Sequence, residues 1–145
     1  DNAQLIKAMQ ADGHEIGNHG YNHKLPTHIS SDETRKEIST TDTIITEITG
    51  TKPKLYAPPA GDFNKETLKT ARSLGYKTIM WSIDTIDWRD KDTEKIQNRV
   101  MKNLKPGAFV LMHPTANTLE ALKSMISQIK EQGYTFKTVS EMLEI

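Results

Sequence analysis

Two of the five histidines in this chain lie four residues apart, in Gly17-Asn18-His19-Gly20-Tyr21-Asn22-His23. Neutral imidazole is a common protein ligand for Zn²⁺ and its neighbours. A catalytic zinc takes three protein ligands and keeps one position open for water. His19 and His23 are therefore part of a candidate metal site, and a third group has to be sought. Downstream, Asp84-Thr85-Ile86-Asp87-Trp88 offers two carboxylates, and Leu111-Met112-His113 offers a third imidazole. His14 and His28 stand outside these groups and read as ordinary strand and loop residues.

The elements that must position these groups follow one rhythm: amphipathic helix, glycine stop, short β-rich strand, polar loop. Leu5, Ile6 and Met9 share a helical face, and Gly13 can close that helix before a strand at His14–Asn18. Ser30-Ser31-Asp32-Glu33 reads as a capping box for a long helix carrying Ile38, Thr41, Ile45 and Ile48, with Gly50 as its end. A strand at Lys54–Ala57 stops at Pro58-Pro59. Asn64 caps a helix through Leu74, and Gly75 precedes a strand at Tyr76–Trp81, which makes Trp81 a core residue. A helix from Asp92 to Leu104 opens on the charged, solvated stretch Arg89–Lys95 and leads through Pro106-Gly107 to a strand at Ala108–Met112. Leu119, Leu122, Met125, Ile126 and Ile129 stripe a last helix as core, and Gly133 precedes a strand at Tyr134–Phe136. Strands alternating with helices imply a parallel α/β sheet. His19 and His23, Pro58–Asp62, Asp84 with Asp87, and His113 then each follow a different strand. In a (β/α) barrel such strand ends share the face where active sites form.

Composition narrows the classes. The chain has 145 residues, enough for one domain with a real core. Lysine plus arginine and aspartate plus glutamate number 19 each, so no basic surface argues for nucleic acid. No apolar run in these residues reaches membrane-spanning length, and none of them reads as a signal peptide. The absence of cysteine removes disulfides and thiolate metal sites. A start at Asp1-Asn2-Ala3 without methionine is what a piece of a longer protein would show.

The order His19-Gly20-Tyr21-Asn22-His23, Ala57-Pro58-Pro59-Ala60-Gly61, Asp84-Thr85-Ile86-Asp87-Trp88 and Leu111-Met112-His113 resembles the polysaccharide deacetylases of the NodB-homology type. These are carbohydrate esterases of family 4, which include peptidoglycan and chitin deacetylases. The resemblance runs from about Leu5 to Leu143, and its nearest flavour is that of sporulation-associated proteins of Gram-positive rods. It implies a distorted (β/α) barrel over residues 1–145, without the family's first strand. It implies a divalent metal, usually Zn²⁺, on His19 and His23. It implies His113 as general acid tuned by Asp87, with Trp88 and Leu111 walling the acetyl pocket and Pro59 and Ala60 meeting substrate. A metal that polarises an amide carbonyl and its water, with an imidazolium to protonate the departing amine, makes coherent chemistry. The implied partner is a bacterial cell-wall or chitin-like glycan outside the cytoplasm.

Departures from the family pattern bear on activity. The strand that ends in two aspartates, one the catalytic base and one the third metal ligand, is not found in these residues. Ala57 stands where an arginine orients the base. Ala60 replaces a tyrosine whose backbone amide helps bind the oxyanion, a donor that alanine keeps. Gly20 replaces a hydroxyl residue, a smaller loss. Two readings follow: a metal-dependent N-deacetylase, or a non-catalytic descendant that binds glycan or serves as a structural module.

Overall fold

The computed structural model describes residues 2–145, and Asp1 lies outside the described residues. The chain divides into two compact units, Asp1–Met80 and Trp81–Ile145. Among the described residues, no helix is long and apolar enough to cross a membrane.

In the first unit, α1 (Ala3–Ala11) leads through a turn and an irregular segment to Asn18. Helix α2 (Ser31–Thr49) starts where the Ser30 hydroxyl accepts the Glu33 N–H, and it stops at Gly50. Only this half of the expected capping box forms, because the Glu33 carboxylate pairs with Lys24 instead. Helix α3 (Lys65–Ser73) carries a complete box between Asn64 and Thr67. Strands β1 (Leu55–Tyr56) and β2 (Lys77–Thr78) run parallel, with Leu55 opposite Lys77. Asn18 joins β1 through one parallel bridge to Tyr56. Gly17 permits that approach, since a Cβ there would stand 3.3 Å from the Leu55 carbonyl oxygen. Ile38, Tyr56, Ala71 and Tyr76 form the core, which ties α2 and α3 to the strand pair.

In the second unit, β3 (Ile83–Asp84) and β4 (Val110–Leu111) pair in parallel, with Ile83 opposite Val110. Asp92 caps α4 (Thr93–Asn103), Thr115 caps α5 (Ala116–Glu131), and Thr138 caps the short α6 (Val139–Leu143). Ile83, Val100, Met125 and Ile129 form the core between the strand pair, α4 and α5.

The parallel pairing matches expectation, while several strand bounds do not. His14–Asn18 contributes only the Asn18 bridge, because the His14 N–H still closes α1 on the Met9 carbonyl. The strand expected over Tyr76–Trp81 contracts to β2, whose last bond runs from the Ile79 N–H to the Tyr56 carbonyl. A new strand, β3, then forms where a loop was expected, once Ser82 and Ile83 both donate to the Phe109 carbonyl. Trp81 is half-buried and outside any strand rather than in the core. Tyr134–Phe136 is not a strand, since the Tyr134 N–H returns to the Ile129 carbonyl at the end of α5. The helical stripes are only partly core. Leu5 and Met9 are exposed on α1, which buries no residue, and Leu119 and Ile126 are exposed on α5 although periodicity aligns them with the buried Met125 and Ile129.

Candidate functional site

His19 and His23 bracket a loop held from below. Asn18 is buried; its side-chain N–H groups donate to the Ile38 carbonyl and the Tyr76 hydroxyl, and its Oδ1 accepts the Gly20 N–H at 3.0 Å. Glu37, also buried on α2, accepts the N–H of Tyr21 at 3.1 Å and of Asn22 at 2.5 Å, plus the Asn22 side-chain amide at 2.7 Å. Burial alone would raise the Glu37 carboxyl, but the Asn22 and Tyr21 bonds and nearby Lys24 outweigh it and hold the group below its ordinary value. Three successive backbone amides are thus fixed before the chain reaches His23, whose φ of 55° lies in the left-handed region.

The two imidazoles are exposed, with ring centroids 5.0 Å apart and edge-on. His19 Nδ1 lies 2.6 Å from the Ala57 carbonyl oxygen. A carbonyl can only accept, so Nδ1 carries the proton and Nε2 is the basic nitrogen of the neutral ring. Two exposed imidazoles, one with its tautomer set by a backbone acceptor, are a donor set that fits zinc or a similar divalent ion. Among the described residues, no group of three or more His, Asp or Glu side chains is placed to hold a metal.

In the second unit, Asp87 and His113 are in direct contact. Asp87 is fully buried, and its Oδ1 lies 2.7 Å from His113 Nδ1. Its Oδ2 accepts the His113 backbone N–H at 2.7 Å and the Thr118 hydroxyl at 2.6 Å. Burial pushes this carboxyl up, yet the His113 N–H, the Thr118 hydroxyl and the His113 ring together hold it down at about 2. The turn that delivers Asp87 is strained. Ile86 has φ 52°, an unfavourable value for a β-branched residue, and its N–H is captured by Asp84 Oδ1 at 2.8 Å. Asp84 thus bonds its own turn, a common role for aspartate.

The remaining sequence-derived residues occupy varied settings. Pro59 is buried and opens a 3-10 turn with the exposed Ala60, whose φ is 54°. Trp88 is 59% exposed, so it is available to a ligand, and Leu111 lies half-buried in β4. Sequence reasoning missed Glu37 and Thr118. A signal for Glu37 existed: a carboxylate beside Ile38 on the face that also carries Thr34 and Ile45 is out of place unless bonded. Thr118 reads as an ordinary residue of a first helical turn, and nothing in the sequence marks it.

The polysaccharide deacetylase family profile matches residues 1–79. A peptidoglycan-N-acetylglucosamine deacetylase of Bacillus cereus is 38% identical over 148 residues, covering 98% of this chain and 69% of the relative. The peptidoglycan-N-acetylmuramic acid deacetylase PdaA of Bacillus subtilis is 36% identical, covering 99% of this chain and 56% of its own length. A crystal structure of a CE4 family pseudoenzyme from Bacillus anthracis superposes with a TM-score of 0.93 at 42% identity, over 98% of this chain and 50% of that one. A mutant of that pseudoenzyme is described as having restored enzymatic activity. The chain belongs to the polysaccharide deacetylase family, and its fold is the α/β barrel type of the CE4 proteins. It spans about half the length of the first curated relatives it matches.

Proposed function

We infer that residues 1–145 belong to a polysaccharide deacetylase domain that hydrolyses N-acetyl groups on a bacterial cell-wall glycan of the peptidoglycan class. The observation that carries this reading is the sealed Asp87 carboxylate held against the His113 ring. With Nδ1 committed to Asp87, Nε2 is the nitrogen of His113 that presents a transferable proton. When the acetamide C–N bond breaks, the departing amine would take that proton from Nε2, while Asp87 holds the ring in place through Nδ1. His19 and His23 would hold the divalent ion, Zn²⁺ in the first instance, which supplies Lewis-acid polarisation of the acetyl carbonyl and of water. Trp88 and Leu111 would receive the acetyl methyl, and the Pro59–Ala60 turn would offer backbone to the carbonyl oxygen. Action on such a glycan would put the protein at the cell wall.

A second reading, a non-catalytic glycan-binding or structural module, is favoured by Ala57 in the place of the family's arginine and by the similarity to a pseudoenzyme. Zinc titration and acetate release from N-acetylglucosamine oligomers separate the two. With two protein ligands this chain should bind zinc weakly and release negligible acetate. Adding at the N-terminus a strand with the family's two aspartates should tighten zinc binding, and Ala57→Arg in that longer chain should raise acetate release. If His19→Ala leaves zinc binding intact, the hydrolase reading fails. Glycan binding without acetate release from the longer Ala57→Arg chain would put the binding module ahead.

A further inference from the structure

The buried carboxylate of Glu37 has no part in the chemistry described above, yet it is placed under the span between His19 and His23. A carboxylate on the inner face of a helix costs free energy unless its oxygens are bonded. Here both oxygens are used, and all three donors come from two adjacent residues of that span. Oε2 accepts the Tyr21 and Asn22 backbone N–H groups, and Oε1 accepts the Asn22 side-chain amide. Asn18 Oδ1 takes the preceding N–H, that of Gly20. The loop therefore has three consecutive amides anchored to two buried side chains before His23 turns into its left-handed conformation. Gly20 itself, at φ +80°, would carry a Cβ 3.7 Å from Glu37 Oε2, so the carboxylate lies close beneath the loop backbone.

We propose that Glu37 is a positioning residue that fixes the spacing of His19 and His23 for a divalent cation, acting through the backbone of Tyr21 and Asn22. This rests on the reading of His19 and His23 as metal ligands. An unanchored loop of exposed residues would sample many separations of the two rings, and the cation would have to order it on binding. With Glu37 in place the ordering precedes the ion. Supporting groups of this kind change metal affinity without touching the metal.

The test uses the full chain and Zn²⁺ alone, with binding read from the imidazole NMR signals of His19 and His23. Glu37→Ala should weaken zinc binding about ten-fold or more. Glu37→Gln should stay within about three-fold, because one amide oxygen can accept both backbone N–H groups while its NH₂ meets a flipped Asn22 amide. A glutamine variant as impaired as alanine, or an alanine variant that binds like the parent, would overturn the proposal. His19→Ala serves as the separating control. If it binds zinc as the parent does, the metal assignment is wrong; if it loses zinc while Glu37→Ala does not, only the role of Glu37 is wrong. Should Glu37→Ala fail to fold, amide hydrogen exchange on the metal-free parent decides the question. Slow exchange at Tyr21 and Asn22 is expected, and exchange at the rate of an open loop would refute the anchoring.

Discussion

The histidine loop of the first unit and the Asp87–His113 pair of the second support their imidazoles in different ways. In the loop, both rings face solvent and the supporting groups, Asn18 and Glu37, grip the backbone between them. In the pair, the supporting side chain bonds the imidazole itself and is completely excluded from water, while the His113 side chain is 42% exposed. The difference follows the chemistry each could perform. On the proposed reading, a ring that receives a cation needs exposure to solvent and a fixed location. A ring that must hold and release a proton needs a charged partner whose own protonation is kept out of the way. At about 2, the Asp87 carboxyl stays ionised wherever an imidazole titrates.

The contrast is broken most directly by truncation. Asp87→Ala strips the partner from the Thr118 hydroxyl, the His113 N–H and the His113 ring, and should cost about 3 kcal/mol of stability. His19→Ala, at an exposed ring, should stay within about 0.5 kcal/mol. Urea unfolding of the metal-free variants measures both. Comparable losses at the two positions would mean that the carboxylate is not sealed as described.

Acid gives the next largest effect. The folded-state value for Asp87, about 2, lies below its ordinary 3.8. The unfolded chain therefore takes up this proton first as pH falls. The stabilisation is fully present above about pH 4 and is lost as pH drops through about 2, an effect of about 2 kcal/mol. Glu37 contributes in the same direction, so the comparison must be made against Asp87→Asn. Its stability should fall less steeply below pH 4, and parallel acid profiles would contradict the assignment.

Thr118→Val sharpens the pair with a smaller change. It removes one of the two donors to Asp87 Oδ2 and the acceptor of the Thr115 hydroxyl, while the cap bond from the Thr118 backbone N–H to Thr115 remains. A loss of about 1 kcal/mol is expected, together with an acid transition that begins at higher pH than in the parent. No change in the acid transition would show that His113, through its backbone N–H and its ring, holds the carboxylate down without Thr118.

How much of this was legible in the chain depends on the range of the forces involved. Helix boundaries at Ser30, Asn64 and Asp92 follow from side-chain caps that act within one turn, and they are where local residues placed them. The Asp87–His113 contact was expected from the family resemblance, whereas the strand β3 that delivers Asp87 was not. The strand bounds were not legible. β2 ends and β3 begins when the chain exchanges the carbonyl of Tyr56 for that of Phe109, a choice made by distant partners. The exposed Leu119 and Ile126 show the same limit, since helical period sorts faces but cannot say which residues at the margin of a face are covered. Glu37 and Thr118 were missed for a related reason. Their roles come from what loop and turn geometry bring to them, across 15 and 31 residues of sequence respectively.

The smallest expected effect tests the loop from the opposite side, by making it more stable. His23 holds a left-handed φ of 55° although it carries a Cβ, and such a conformation costs a non-glycine residue on the order of 1 kcal/mol. Its side chain is exposed and packs edge-on against His19, so little burial is lost on removing it. Glycine also gains entropy in the unfolded state, which offsets part of the relief. His23→Gly should therefore stabilise the metal-free chain by about 0.5 kcal/mol while weakening zinc binding. His23→Ala is the necessary comparison, because it removes the same imidazole and retains the strained Cβ. Thermal unfolding should place glycine above alanine, with zinc titration equally impaired in both. If alanine is the more stable, the loop does not hold His23 under strain, and its left-handed conformation is simply tolerated.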